Sequence, residues 1–130
     1  MILVDSSVWI DYFRGLETRQ TEKLDGLFGS NLLVVGDLIL TEVLQGFPDE
    51  PEFAEALELF NTLHLVRLGG YRLAIEAAKN FRKLRTKGYT IRKTVDSLIA
   101  TRCIVSRLEL LHNDRDFIPF EKHLGLKCVI

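Results

Sequence analysis

Short apolar runs alternate with helically spaced apolar stripes along the whole chain. Residues 2–4, Ile-Leu-Val, form a β-branched run, and within a few residues the pattern turns helical, with Val8–Tyr12 and Trp9–Phe13 both spaced i, i+4. A second helix is predicted over 17–28 and a strand over 32–35. Asp37 is placed to cap a helix that runs to about Gln45, with Gly46 after it. Asp49 and Pro51 open another helix, on which Phe53, Leu57 and Phe60 share a face. Residues 64–66 read as a strand. The helix over 71–87 carries Leu73, Ala77, Phe81 and Leu84 on one face and stops at Gly88. A further helix covers 94–107, and 109–112 and 127–130 read as strands. Strands alternating with helices through short connections predict an α/β fold with a largely parallel sheet, in one domain over 1–130.

Composition narrows the class. The chain has 130 residues, 47% hydrophobic and 27% charged, which excludes a disordered or fibrous chain and suffices for a core without disulfide or metal staples. No apolar run approaches the roughly 18 residues of a membrane span. The N-terminus has no basic region or cleavage site of a secretion signal, and there are only two cysteines, Cys103 and Cys128. A reduced, cytoplasmic protein with no membrane partner is expected.

Charge changes the picture more. Residues 1–66 carry Arg14, Arg19 and Lys23 against twelve acids, a net of −9. Residues 67–107 carry eleven basic side chains against Glu76 and Asp96, a net of +9. Such asymmetry fits a surface that faces a polyanion, or two segments of opposite charge that meet on one solvated surface.

The acids fall at telling positions. Open parallel sheets bind ligands beyond the carboxyl ends of their strands. Asp5 follows the first strand there, and Asp114 and Asp116 follow the strand at 109–112. Asp96 lies on the apolar stripe Asp96–Ile99–Ala100–Cys103, and Glu42 shares a face with Leu38 and Ile39. A carboxylate on a buried stripe costs several kcal/mol, to order of magnitude, unless it is paired. Singly, each acid also fits a turn, a cap or a helix-dipole position. Together, five acids at strand ends and on inward faces point to a hard divalent cation such as Mg²⁺ or Mn²⁺, which takes oxygen ligands and suits phosphate chemistry.

Other phosphate machines are not spelled by these residues. The phosphate-binding loop, the dinucleotide fingerprint and the nucleophile elbow are all missing. A haloacid-dehalogenase-like phosphatase needs a second Asp where Ser7 stands. His64, His112 and His123 with the two cysteines show no zinc spacing.

Four segments resemble the signatures of PIN-domain ribonucleases, most of all the VapC-type toxins of bacterial toxin–antitoxin pairs. They are Ile2-Leu3-Val4-Asp5-Ser6-Ser7-Val8-Trp9-Ile10, Thr41-Glu42-Val43-Leu44-Gln45-Gly46, Arg92-Lys93-Thr94-Val95-Asp96-Ser97-Leu98-Ile99-Ala100 and His112-Asn113-Asp114-Arg115-Asp116-Phe117. Ser6 stands where many relatives have Thr, which keeps the hydroxyl. The resemblance implies a five-stranded, mainly parallel sheet with helices on both sides. It implies that Asp5, Glu42, Asp96 and Asp114 are metal-centre acids, with Asp116 a further ligand or an acid behind the ligands. By the same resemblance Ser7 helps hold Asp5 or water, and Arg92 meets the scissile phosphate. Hydrolysis of RNA with Mg²⁺ (Mn²⁺ substituting), a small cognate antitoxin, a homodimer and a toxin–antitoxin hetero-oligomer are the implied function and partners. The alternatives are an idle PIN-like RNA- or protein-binding module and a PIN-like nuclease acting on DNA. The acid-free stretch from Lys79 to Lys93 leads straight into the helix of Asp96, and its Lys83 and Arg85 are expected to meet the RNA backbone.

Overall fold

The computed structural model describes residues 1–130. Its strands are β1 (Ile2–Val4), β2 (Leu33–Gly36), β3 (His64–Val66), β4 (Glu109–Leu111) and β5 (Lys127–Cys128). Its helices are α1 (Ser6–Phe13), α2 (Arg19–Leu27), α3 (Asp37–Leu44), α4 (Glu50–Phe60), α5 (Tyr71–Thr86), α6 (Thr94–Ser106) and α7 (Ile118–Leu124). The strands form one sheet in the order β3-β2-β1-β4-β5, and all four pairings are parallel. The expected sheet is therefore present and wholly parallel. Its central strands are β1, fully buried, and β4, buried at Leu110 and Leu111.

Parallel neighbours need right-handed crossovers, and this decides where the helices go. From β1 to β2 to β3 the chain steps one way across the sheet, so α1–α4 share one face. It then returns past β1 to β4 and β5, which puts α5–α7 on the other. The contacts sort accordingly: α1 packs on α2 and α3, and α3 on α4, whereas α5 packs on α6 and α7. The winding direction reverses between β1 and β4. A crevice opens at such a switch point, at the carboxyl ends of the two strands.

Local chemistry sets the element ends. Thr18 and Thr21 form a reciprocal capping box that starts α2 two residues later than the periodicity predicts. Gly36, not Asp37, is the N-cap of α3. Asp37 instead accepts from its neighbour Leu38 N and from Leu68 N, which pins the segment after β3 to the end of β2. Gly36 is required there, because a Cβ would strike the Leu68 side chain. On α4 the buried residues are Ala56 and Phe60, with Phe53 and Leu57 half-buried. Phe81 on α5 is likewise half-buried. A 3-10 turn (Arg115–Phe117) and α7 fill a stretch with no sequence assignment, and bury Phe117 and Phe120. Trp9 is buried against Phe13, Phe28 and Phe60, as core packing requires. No helix is long and apolar enough to cross a membrane.

Candidate active site

Asp5 is fixed from both sides. Its amide donates to Leu111 O (2.9 Å), continuing the β1–β4 ladder, and its side chain caps α1. Oδ2 accepts from Ser7 N (3.1 Å) and from Ser7 Oγ (2.6 Å). The same Oγ accepts from Asn113 N (3.1 Å), so one hydroxyl ties together the carboxyl ends of the two central strands. Past Asn113, Asp114 Oδ1 accepts from Asp116 N (2.9 Å) and starts the 3-10 turn, which turns the Asp116 carboxylate back toward Asp114.

Asp96 arrives from α6. It sits in the first turn, 5% exposed, with Ile99, Ala100 and Cys103 buried below it on the stripe. Carboxylate oxygens of Asp96, Asp114 and Asp116 lie within 4.8 Å of one another. The buried Asp96 Oδ2 has no hydrogen-bond partner. Asp5 and Glu42 stand outside that close trio; beyond the larger effect of burial, Asp114 raises Asp5 and Asp5 raises Glu42. Glu42 reaches the site through Ser6, whose Oγ donates to its Oε2 at 3.3 Å.

The electrostatics are those of crowded acids. Burial, with Asp5, Asp114 and Asp116 adding to it, pushes Asp96 up to about 7 against the pull of Lys93. Burial likewise lifts Asp5, opposed by the two Ser7 hydrogen bonds, and lifts Glu42, opposed by Ser6 and Lys93. Two cations answer the acids. Lys93 Nζ lies 3.5 Å from Asp114 Oδ2, and its ammonium is held above its usual range chiefly by Asp96. Arg92 donates to both Asp116 oxygens at 3.1 and 3.3 Å. A trio of carboxylates with an orphaned buried oxygen is an all-oxygen donor set short of positive charge. Those donors fit a hard divalent cation.

A family profile for the PIN domain matches residues 2–122. The chain belongs to the PIN-domain family. It is 29% identical over 119 residues to VapC ribonuclease Mb1587 of Mycobacterium bovis, an alignment covering 90% of this chain and 89% of that protein. Its fold is similar to VapBC2 from Rickettsia felis, solved bound to a promoter DNA fragment (TM-score 0.74, 18% identity, 99% and 98% of the two chains). It is also similar to VapC20 of Mycobacterium tuberculosis, a sarcin-ricin loop cleaving toxin (TM-score 0.66, 16% identity, 91% and 93%). At these identities the two solved structures speak for the fold alone.

Within this PIN domain the five expected acids and Ser7 gather at the switch point. Arg92 joins them through Asp116 rather than standing free. Lys83 and Arg85 do not join: both are exposed on α5 with no ion pair to the acids, and the Arg85 guanidinium lies 5.7 Å over the Phe81 ring. Sequence reasoning placed Lys93 only in the basic segment that leads into α6, and assigned Ser6 and Asn113 no role in the site. Lys93 carried a signal, a basic side chain at the entry of the helix whose stripe bears Asp96. Ser6 and Asn113 lie inside the motifs that carry the resemblance, but their partners, 36 and 106 residues away, were not legible from spacing.

The structure also joins His112, Glu121 and Cys128 within 4.8 Å, a trio invisible to ligand spacing. Asp114 N donates to His112 Nδ1 (3.1 Å), which leaves the ring proton on Nε2. Burial and Glu121 push the Cys128 thiol up to about 12, so it keeps its proton beside that carboxylate. The trio packs side by side, with Glu121 contributed by α7.

Proposed function

We propose that this PIN domain is a divalent-cation-dependent endoribonuclease and the toxin of a toxin–antitoxin pair. One observation carries the reading. Asp96, Asp114 and Asp116 converge within 4.8 Å at the β1–β4 switch point, with an Asp96 oxygen left unpartnered in the interior. Asp96, Asp114 and Asp116 would hold the ion, with Asp5 and Glu42 beside it. Mg²⁺, with Mn²⁺ as substitute, matches an all-carboxylate donor set. Bound there, the ion supplies Lewis-acid stabilisation of phosphoryl charge and activates water for in-line attack.

The chain's own residues do the rest. Ser7 locks the Asp5 carboxylate by two hydrogen bonds, so its oxygens do not swing when the acids load. Lys93 and Arg92 pair with Asp114 and Asp116 at the mouth of the site, where their remaining donors would be placed to meet phosphate oxygens. No side-chain nucleophile is needed. Relatives named VapC ribonuclease, 29% identical over 119 residues, support the same chemistry here.

The partner reading rests on the opposite helical layer. Tyr12, Phe13, Phe47 and Leu59, flanked by Glu52 and Glu55, line a cavity of about 540 Å³. A smaller neighbouring pocket shares Phe13 and Phe47 and reaches Glu42. An antitoxin segment with apolar anchors and an arginine aimed at the acids fits this groove, since a guanidinium pairs with carboxylates bidentately. A homodimer, a toxin–antitoxin hetero-oligomer and a cytoplasmic setting belong to the same proposal. Incubating the chain with mixed RNA and with single-stranded DNA, with Mn²⁺ and with chelator, is the test. RNA cut only with Mn²⁺ is the expected result. Preferred cutting of DNA, or binding of RNA without cutting, overturns it.

A further inference from the structure

One cavity lined by none of the acid-centre residues is rich in arginine. It measures about 550 Å³, within the range of ligand clefts, and lies between the start of α5 and the far part of α6. Arg67, Arg72 and Arg102 line it, and none of the three pairs with a carboxylate. Arg102 is held in place: its Nε donates to Arg67 O (2.7 Å) and a terminal nitrogen to Ser106 Oγ (3.3 Å). The one acid at the wall, Glu76, turns to Lys79 at 3.4 Å. Beside the arginines Tyr71 is 83% exposed, an aromatic ring offered to solvent with nothing on it.

The cavity is not isolated from the acids. Arg72, Lys79 and Lys83 recur at i, i+7 and i+11, so they form one exposed stripe along α5. That helix has 16 residues, a length of about 24 Å. Its far end leads into the loop that carries Arg92 and Lys93 onto Asp116 and Asp114. A row of cations thus runs from the acid centre to a guanidinium-lined cavity with a bare aromatic ring. Unpaired arginines select phosphate, a cationic row tracks a backbone, and an exposed ring stacks a base. A single-stranded nucleic acid offers all three at once.

We infer that the Arg67–Arg72–Arg102 cavity with Tyr71 is a remote binding subsite for single-stranded RNA, engaging nucleotides away from the bond that is cut. The inference rests on the ribonuclease reading and adds where a long substrate is gripped. The subsite binds and does no chemistry, so it raises affinity for long RNA and leaves the turnover step alone.

The test is the double variant Tyr71→Ala, Arg72→Glu, whose two side chains are exposed and make no hydrogen bond in the fold. Three readouts are taken. In an Asp96→Asn background, binding of a long unstructured RNA weakens about tenfold or more, and the log–log salt slope flattens by about 0.7 or more. In the otherwise unchanged chain, KM for that RNA rises with kcat unaltered, and cutting of a trinucleotide is unaffected. Sedimentation reports the oligomeric state. Unchanged affinity and slope overturn the inference. So does a change of oligomeric state with RNA affinity intact, which assigns the cavity to a second copy of the chain. The two readings fail separately. If the parent cuts no RNA but the double variant still loses affinity, the cleavage reading falls and the subsite stands. If the parent cuts the trinucleotide and the double variant handles long RNA as the parent does, the subsite falls and the cleavage reading stands.

Discussion

Asp96 is the residue on which the site's energetics turn. Its carboxyl sits near 7 in the fold against 3.8 when unhindered, because burial and three neighbouring aspartates disfavour its charge. The folded chain therefore keeps a proton that the unfolded chain has already lost between about pH 4 and 7. Stability of the metal-free protein falls as pH rises through that window and levels off above it. Asp5 and Glu42, also raised, act in the same sense. Asp96→Asn removes the Asp96 contribution. In thermal melts with chelator it should exceed the parent by on the order of 1 kcal/mol, about 4 °C, at pH 7.5, and converge with it toward pH 4. A gap that does not change with pH would contradict this assignment of charge. The same proton governs metal loading. Mn²⁺ affinity should rise about tenfold per pH unit below 7 and flatten above, as titration calorimetry over a pH series will read.

At the scale of elements, the joint between β2 and β3 is the most demanding. Gly36 ends β2 where Leu68 fills the space a Cβ would need, while Asp37 holds the Leu68 amide. Gly36→Ala should cost about 1–3 kcal/mol in urea unfolding through overpacking. Leu68→Ala is itself costly because Leu68 is buried, but the two changes together should cost less than the sum of the single losses, a non-additivity expected only if the two groups collide. Elements were legible where one face or one junction dominates. Ile2–Val4 with Asp5 behind it reads as strand then cap, and the α6 stripe exposes Asp96 as the one charge among buried neighbours. Helix α7 was not legible, although Phe117, Phe120 and Leu124 are helically spaced and Pro119 suits a first turn. Seven residues make too short a window for periodicity to outweigh the polar ones between them. Asp37 was misplaced for a different reason. Its partner Leu68 lies 31 residues away, and a local capping rule sees only neighbours.

For the whole molecule, topology converts a charge pattern into two functional sides. The net −9 of residues 1–66 includes all of α1–α4, and the net +9 of 67–107 includes α5 and α6 on the other side of the sheet. The asymmetry was visible in the sequence. Its meaning was not, because opposite charges distant in the chain can either mingle or separate, and only the crossover direction separates them. One side then suits a basic antitoxin segment and the other a polyanion. Lys83→Ala with Arg85→Ala should weaken RNA binding across sequences and flatten the salt slope by about 1.4, with little effect on stability. An unaltered slope would return those two residues to plain solvated charge. On the acidic side, an antitoxin peptide with its arginines changed to alanine should lose inhibition, read as nuclease activity regained.

The central claim is that Asp96, Asp114 and Asp116, with Asp5 and Glu42 beside them, would hold a cation on which RNA cleavage depends. The most direct measurement is the initial rate of RNA cleavage over a Mn²⁺ series, for the parent and for Asp96→Asn side by side. The parent should show a rate that saturates with Mn²⁺ and vanishes with chelator, and Asp96→Asn should fall by about 10²-fold or more while keeping its fold. Cleavage that survives chelation, or an Asp96→Asn chain that cuts as fast as the parent, would contradict the account.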